Sequence, residues 1–198
     1  MAEATKEGTP PAVDGRRLRS ERNRQRIVTA MMDLVREGDY APGAEAVADR
    51  AGVGLRSVFR HFNDMESLYR EISETINREV RPLIEEPFAS REWRKQLAEL
   101  ISRKIQLFEK MMMFYVAGKV HRQDSVFIRA DHQHSLAVER KALRAVLPEE
   151  WRQRREIFEA LDLVLSFDSW VRLRQDQKLS VRRGREVVET LVNGMLAG

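Results

Sequence analysis

Arg56 and Arg60 stand four residues apart in the run Leu55-Arg56-Ser57-Val58-Phe59-Arg60-His61-Phe62. On a helix that spacing puts both guanidinium groups on one face. A guanidinium fork can donate two hydrogen bonds to O6 and N7 of a guanine, or it can rest on phosphate oxygens. Leu55 could either touch a thymine methyl group or face solvent. His61 could either donate to a phosphate or pack at the end of its helix. Upstream, Arg16, Arg17, Arg19, Arg22, Arg24 and Arg26 crowd together with only Glu21 opposing them. Such a cluster either solubilises a tail or neutralises phosphates. Its place directly before the Arg56 segment favours phosphate.

These side chains need a rigid support, and the neighbouring residues describe one. Ala44, Val47, Ala48 and Ala51 fall at helical spacing and give a narrow face of small apolar residues. Gly52 stands where a helix C-cap wants a left-handed residue, which glycine adopts at little cost. Val53 can plug the turn, and Val58 and Phe62, four apart, form the inner face of a second helix. Two short helices around such a turn make a helix-turn-helix, whose second helix enters the DNA major groove. A supporting helix is expected from near Ser20, a good N-cap, to Gly38, with Ile27, Ala30, Met31, Leu34 and Val35 as its stripe. Tyr40 is expected to fill the same small core. Residues 1–15, with Gly8, Pro10, Pro11 and Gly15, are expected to be a flexible tail.

The run from Ala51 to Phe62 resembles the helix-turn-helix signature of tetracycline-repressor-type (TetR) transcriptional regulators. The similarity runs back through Arg26-Ile27, Ala30, Leu34 and Glu37-Gly38-Asp39-Tyr40, and forward to Glu66, Leu68 and Tyr69. It covers roughly the first third of the chain. The resemblance implies a homodimer paired through C-terminal helices, a palindromic double-stranded DNA operator, and most often repression. It also implies a small effector bound between C-terminal helices. Ser57 matches a family position usually held by Thr or Ser, which suggests a hydrogen bond to a backbone phosphate. The expected DNA-binding set is therefore Arg22, Arg24, Gly54, Leu55, Arg56, Ser57, Phe59, Arg60 and His61. Two positions depart from the family pattern. Phe59 replaces a usual Tyr, so a phosphate-binding hydroxyl is absent, and Met65 replaces a usual Lys.

The composition sets the frame. A chain of 198 residues, 42% hydrophobic and 33% charged, suits one compact unit or two small helical domains. The formal net charge is only +4, so the distribution of charge says more than its sum. There is no cysteine, which rules out disulfides, zinc-thiolate sites and a cysteine nucleophile and fits a reducing cytoplasm. No apolar run is long enough to span a bilayer, and the N-terminus lacks the apolar region of a secretion signal, so a cytoplasmic protein is expected.

Beyond Phe62 the chain reads as helical without strands. Asn63 or Asp64 can cap a fourth helix bearing Leu68, Tyr69, Ile72, Ile76 and Val80, ended by Pro82. Trp93, Leu97, Leu100, Ile101, Lys104, Ile105 and Phe108 mark another, reaching Tyr115 and punctuated by Gly118. Residues 126–147 form a more polar helix stopped by Pro148. A helix from Trp151 to about Arg174 is apolar nearly all round. Ser180 caps a last helix with the stripe Gly184, Val187, Val188, Leu191, Val192 and Met195, where Gly184 permits close approach. The last two helices are the candidate dimer interface.

The expected fold is thus all-α. A three-helix helix-turn-helix domain (16–63) joins a helical bundle (64–198) for dimerisation and effector binding. Within that bundle, Met111 to Met113 with Phe114 and Tyr115 read either as ordinary core or as an adaptable pocket wall. The candidate ligand-lining residues are Phe108, Met112, Tyr115, Phe167 and Trp170, for a small hydrophobic effector, neutral or aromatic. Asp131, His132 and His134, with His121 and Asp124 nearby, are metal-ligating types. Residues two apart on a helix point nearly opposite ways, so His132 and His134 do not share an ion, and two ligands are too few. No metal, cofactor or catalytic residue is expected, since no nucleophile elbow or phosphate-cradling glycine loop occurs. The competing reading is a helical small-molecule-binding or interaction protein whose helix-turn-helix no longer reads DNA.

Overall fold

The computed structural model of the chain describes residues 15–197. The expected tail lies outside the described residues except for Gly15. The described chain is α-helical without strands: α1 (Gly15–Arg36), α2 (Ala44–Ala51), α3 (Leu55–His61), α4 (Met65–Glu85), α5 (Trp93–His121), α6 (Val126–Val146), α7 (Glu149–Gln153), α8 (Arg155–Val164), α9 (Phe167–Val171), a π-helical turn (Arg172–Asp176) and α10 (Val181–Met195).

Two apolar clusters organise these helices. The first joins Ile27, Val28 and Met31 of α1, Val47 and Ala51 of α2, Val58 of α3 and the Leu68, Ile72, Ile76 and Val80 stripe of α4. The second gathers Leu97, Ile101, Ile105 and Phe108 of α5 with Leu143, Phe158, Leu161, Trp170, Val188 and Val192. Leu107 and Met111 of α5 pack against both, so α5 is the shared wall. The α4 stripe recurs every four residues, which places it on one side of a helix. Asp64 starts that helix by accepting the Ser67 N–H at 2.8 Å.

Five boundaries or placements differ from the sequence expectation. α1 is already helical at Gly15, so Ser20 is not its N-cap and the arginine cluster, Arg16, Arg17 and Arg19 included, lies wholly on the helix. α4 continues through Pro82 to Glu85. Proline removes one donor and crowds the preceding turn, but here the ring is exposed and only one further turn follows. α5 likewise passes through Gly118 and ends at His121, with buried Ala117 still packed inside. Tyr40 does not enter the helix-turn-helix core; its hydroxyl donates to Met113 Sδ of α5 at 3.7 Å.

The helix expected from Trp151 to Arg174 is broken twice. The backbone turns at Arg154 (φ −76°, ψ 82°), and Ser166 restarts a helix by accepting the Ser169 N–H at 3.2 Å. The breaks answer the packing problem that a helix apolar on all sides would face. They let Trp151, Phe158, Leu161, Phe167 and Trp170 all turn into one cluster. On α10, a Cβ added at Gly184 would lie 3.0 Å from the Trp170 ring, so glycine is what lets α10 approach.

Candidate nucleic-acid interface and internal cavity

The turn between α2 and α3 is built around Gly52, whose backbone is left-handed (φ 61°, ψ 42°). That conformation lets the Gly52 N–H reach the carbonyls at the end of α2, and the Val53 N–H bonds Ala48 O at 3.0 Å. Arg26 adds a second constraint by donating from Nη2 to Gly52 O at 3.4 Å. A Cβ at position 52 would lie 2.7 Å from that nitrogen. Val58 and Phe62, 1% and 2% exposed, anchor α3 from beneath.

With those two side chains inward, α3 turns Leu55, Arg56, Phe59 and Arg60 outward. Phe59 is 50% exposed, with Arg56 three positions before it and Arg60 next to it in the chain. Gly54 is the exposed N-cap. Ser57 is half-buried, and its hydroxyl accepts from Arg60 Nη2 at 3.2 Å. Arg22 is exposed on α1. Of the expected set, Arg22, Gly54, Leu55, Arg56, Phe59 and Arg60 are therefore exposed.

Two members of the set are placed otherwise. Arg24 was expected to face DNA, but its guanidinium is committed internally. Nη1 donates to His61 O at 2.8 Å, Nη2 pairs with Glu71 Oε2 at 2.7 Å, and the group lies 4.4 Å from the centre of the Phe62 ring. It pins α1, the end of α3 and α4 together. His61 is half-buried, and its Nε2 is buried without a hydrogen-bond partner among the described residues. Burial, followed by the nearby Arg60 and Arg24 charges, pushes its pKa below the ordinary histidine value. An imidazole held toward its neutral form packs more readily than it binds a phosphate.

A cavity of about 450 Å³ opens between α1, α4, α5 and α6, with α9 at its back. Phe108, Tyr115 and Phe167 line it, as the sequence suggested. Phe167 stacks on both others, with ring centres 4.4 Å from Phe108 and 4.0 Å from Tyr115. Burial pushes the Tyr115 hydroxyl up to about 12, with the Asp168 charge as the next cause. Met112 and Trp170 do not line the cavity. Met112 packs against the C-terminal cluster, and Trp170, 2% exposed, donates from Nε1 to Glu109 at 2.8 Å. Met111, one position earlier, faces the cavity instead.

The sequence reading missed the α4 and α6 walls, where Tyr69, Ile72, Ser73, Asp131 and His132 line the same space. Tyr69 and Ile72 carried a signal, an apolar helical stripe, but a stripe alone cannot say whether it meets core or cavity. Burial and then Arg122 lower the pKa of His132. No group of three or more His, Cys, Asp or Glu among the described residues could hold a metal ion. None of their helices is long and apolar enough to cross a membrane.

A third surface lies on α8 and α10, which pack against each other. Leu163 is 67% exposed and Leu191 48%, with Val164 and Val187 half-buried. The stripe expected on α10 is thus divided: Gly184, Val188 and Val192 are buried in this chain, while Leu191 faces out.

No family model matches this sequence, and neither does any curated protein. Solved structures do share its fold. A transcriptional regulator from Rhodococcus sp. Rha1 superposes with a TM-score of 0.67 at 17% identity, covering 88% of this chain and 96% of that one. A candidate transcriptional regulator from Streptomyces coelicolor A3(2) does so with a TM-score of 0.60 at 18% identity, covering 86% of this chain and 98% of its own. At such identities the likeness establishes the all-helical fold.

Proposed function

We propose that this chain is a cytoplasmic, homodimeric, ligand-responsive DNA-binding transcription regulator of the TetR type, acting as a repressor. The observation that carries the reading is the α2–Gly52–α3 unit, with Val58 and Phe62 inward and Leu55, Arg56, Phe59 and Arg60 outward. Both structural relatives being described as regulators supports it. In this reading residues 16–63 bind DNA and residues 64–198 pair the subunits and take a small hydrophobic effector. The exposed Leu163 and Leu191 supply the apolar face through which two copies pair. A symmetric dimer would present its two recognition helices about 34–36 Å apart, one turn of a palindromic operator.

α4 couples the two functions. It starts three residues after Phe62 and is tied to α6 by two hydrogen bonds. Phe127 N–H donates to Glu66 Oε2 at 2.9 Å, and Ser73 Oγ donates to Asp131 Oδ2 at 3.1 Å. An effector in the cavity touches α4 and α6 together. If it binds better to a different setting of these helices, it changes the spacing of the recognition helices by that difference in affinity.

Fluorescence anisotropy with promoter fragments from beside its own coding region tests the reading. Binding should be tight, dimeric and steeply weakened by salt as displaced counterions return to phosphate. The second reading, a helix-turn-helix that no longer binds DNA, draws on Phe59, Met65 and the internal commitment of Arg24. It predicts ligand binding in the cavity with no fragment bound above the nonspecific level.

A further inference from the structure

The buried residues of α1 begin at Ile27, and residues 15–22 stand exposed ahead of them. These two turns, about 12 Å of helix, carry Arg16, Arg17, Arg19 and Arg22 against the single carboxylate of Glu21. Arg17, Arg19 and Arg22 form no ion pair among the described residues, and the Arg19 guanidinium donates to Gly15 O at 3.2 Å.

Forces within the chain oppose this extension. No acidic residue lies in the first turn of α1, so cations crowd the positive end of its dipole. Arg19 lies three positions from both Arg16 and Arg22, which makes like charges neighbours on the helix surface. Turns that bury no apolar stripe also gain little from tertiary packing. A polyanion laid beside them removes the dipole penalty and the repulsion together.

The direction of α1 says which polyanion. Arg24 Nη1 donates to His61 O at 2.8 Å at the end of α3, and Glu21, one turn earlier, is near enough to act on the same histidine. α1 therefore passes the C-terminal end of α3 and runs on outward, away from Arg56 at the other end. A duplex held by α3 brings its backbone, not its base edges, to such an extension. A lipid surface is a poorer match, because Leu18 is the one large apolar side chain in the stretch and no apolar face exists to insert.

Building on the reading of the chain as a DNA-binding regulator, we infer that residues 15–22 form a second DNA-binding element. This basic helical extension tracks backbone phosphates outside the base pairs met by α3. It lengthens the contact on each half-site and adds affinity without reading sequence.

Hydroxyl-radical footprinting of the full-length protein on the promoter fragment it binds tests this. Wild type should protect backbone positions outside the base pairs at which Arg56→Ala relaxes preference. The double variant Arg17→Ala with Arg19→Ala should lose that outer protection, and its slope of affinity against salt should fall by about two. Its preference across single-base operator substitutions should stay that of wild type. Arg17→Lys with Arg19→Lys keeps the charges and should keep the outer protection. Ser20→Pro keeps every arginine but lets the helix start at residue 20, since proline suits a first helical position; it should lose the outer protection too. The inference is overturned if wild type protects nothing outside the read base pairs, or if the alanine pair keeps the outer protection or loses base preference. Outer protection retained by Ser20→Pro overturns it as well, since a flexible arm would then suffice. If wild type binds no fragment above the nonspecific level, the DNA-binding reading itself fails, and this element fails with it.

Discussion

The α3 surface and the α8–α10 face both expose large apolar side chains, but their surroundings are opposite. On α3, Leu55 and Phe59 alternate with Arg56 and Arg60, and Arg22 is exposed on neighbouring α1. On α8 and α10, Leu163 and Leu191 sit with Val164 and Val187 instead. The first arrangement is a poor match for another apolar surface, since it would strip water from guanidinium groups. It suits a polyanion that also offers apolar base edges. The second suits a copy of itself, because burying Leu163 and Leu191 removes apolar area from water, and the neighbouring Glu159 and Asp162 are already paired with Arg140. Exposed apolar area marks a function only when read with the charges beside it.

Leu191→Arg should break this contrast most completely. Leu191 is 48% exposed in the single chain, so an arginine there reaches solvent in a monomer but not in an apolar interface. The variant should stay folded by circular dichroism, sediment as a monomer and lose operator binding. A dimer with normal DNA affinity would move the interface elsewhere.

The arginines of α1 sharpen the comparison next. Arg24 joins three elements through a carbonyl, a carboxylate and a ring, while Arg22 is simply exposed. Arg24→Ala should therefore cost about 1–3 kcal/mol in urea unfolding, the range for losing charge-assisted hydrogen bonds at a half-buried site. Arg22→Ala should leave stability within about 0.5 kcal/mol. If Arg22 meets a phosphate, the substitution lowers the slope of affinity against salt by about one. Equal stability losses would show that the internal role of Arg24 is misplaced.

These two arginines also show what sequence can and cannot convey. The helix-turn-helix was legible because its determinants are local: Gly52 needs a left-handed backbone, and Val58 and Phe62 share a face by spacing alone. The fates of Arg22 and Arg24 depend on Glu71, 47 positions beyond Arg24, and on the carbonyl of His61, 37 positions beyond it. No spacing rule carries that information. The same holds for Met111 and Met112, since neighbouring positions on one helix meet different clusters and only the packing of α4, α6 and α9 decides which faces the cavity. The breaks at Arg154 and Ser166 were hidden for the converse reason. Good helix formers run through Arg154, where tertiary demand for buried aromatics overrides local preference, whereas Ser166 carried a local N-cap signal that the apolar run around it masked.

Within α3, Arg56 and Arg60 share a face but not a situation. Arg60 is drawn onto Ser57 at 3.2 Å, whereas Arg56 is exposed beside the N-cap. Arg56→Ala should cost about 1–3 kcal/mol on the operator and relax preference at one base position per half-site. Ser57→Ala should weaken binding less and evenly across operator variants, because phosphates are alike in every sequence. A panel of single-base operator substitutions titrated against each variant decides this. If the Arg56 variant keeps the full preference pattern, Arg60 becomes the base reader.

The smallest effect belongs to His61, and it separates packing from DNA contact on the same helix. Its folded pKa lies below the ordinary value, through burial first and then Arg60 and Arg24. The unfolded chain, with a histidine pKa of about 6.5, takes up the proton first as pH falls. The contribution of His61 to stability is therefore complete above about pH 6.5 and is lost as pH falls from there through the folded value. His132 is shifted the same way, so only a variant isolates the effect. Comparing urea midpoints of wild type and His61→Gln from about pH 5 to pH 8 should show a shallower fall for the variant. DNA affinity of wild type should show no histidine-dependent rise on acidification across that range. A histidine that donated to phosphate as a cation would gain its proton on binding, and affinity would climb as pH dropped. Such a climb, absent from His61→Gln, would transfer His61 from the packed side of α3 to its DNA-facing side.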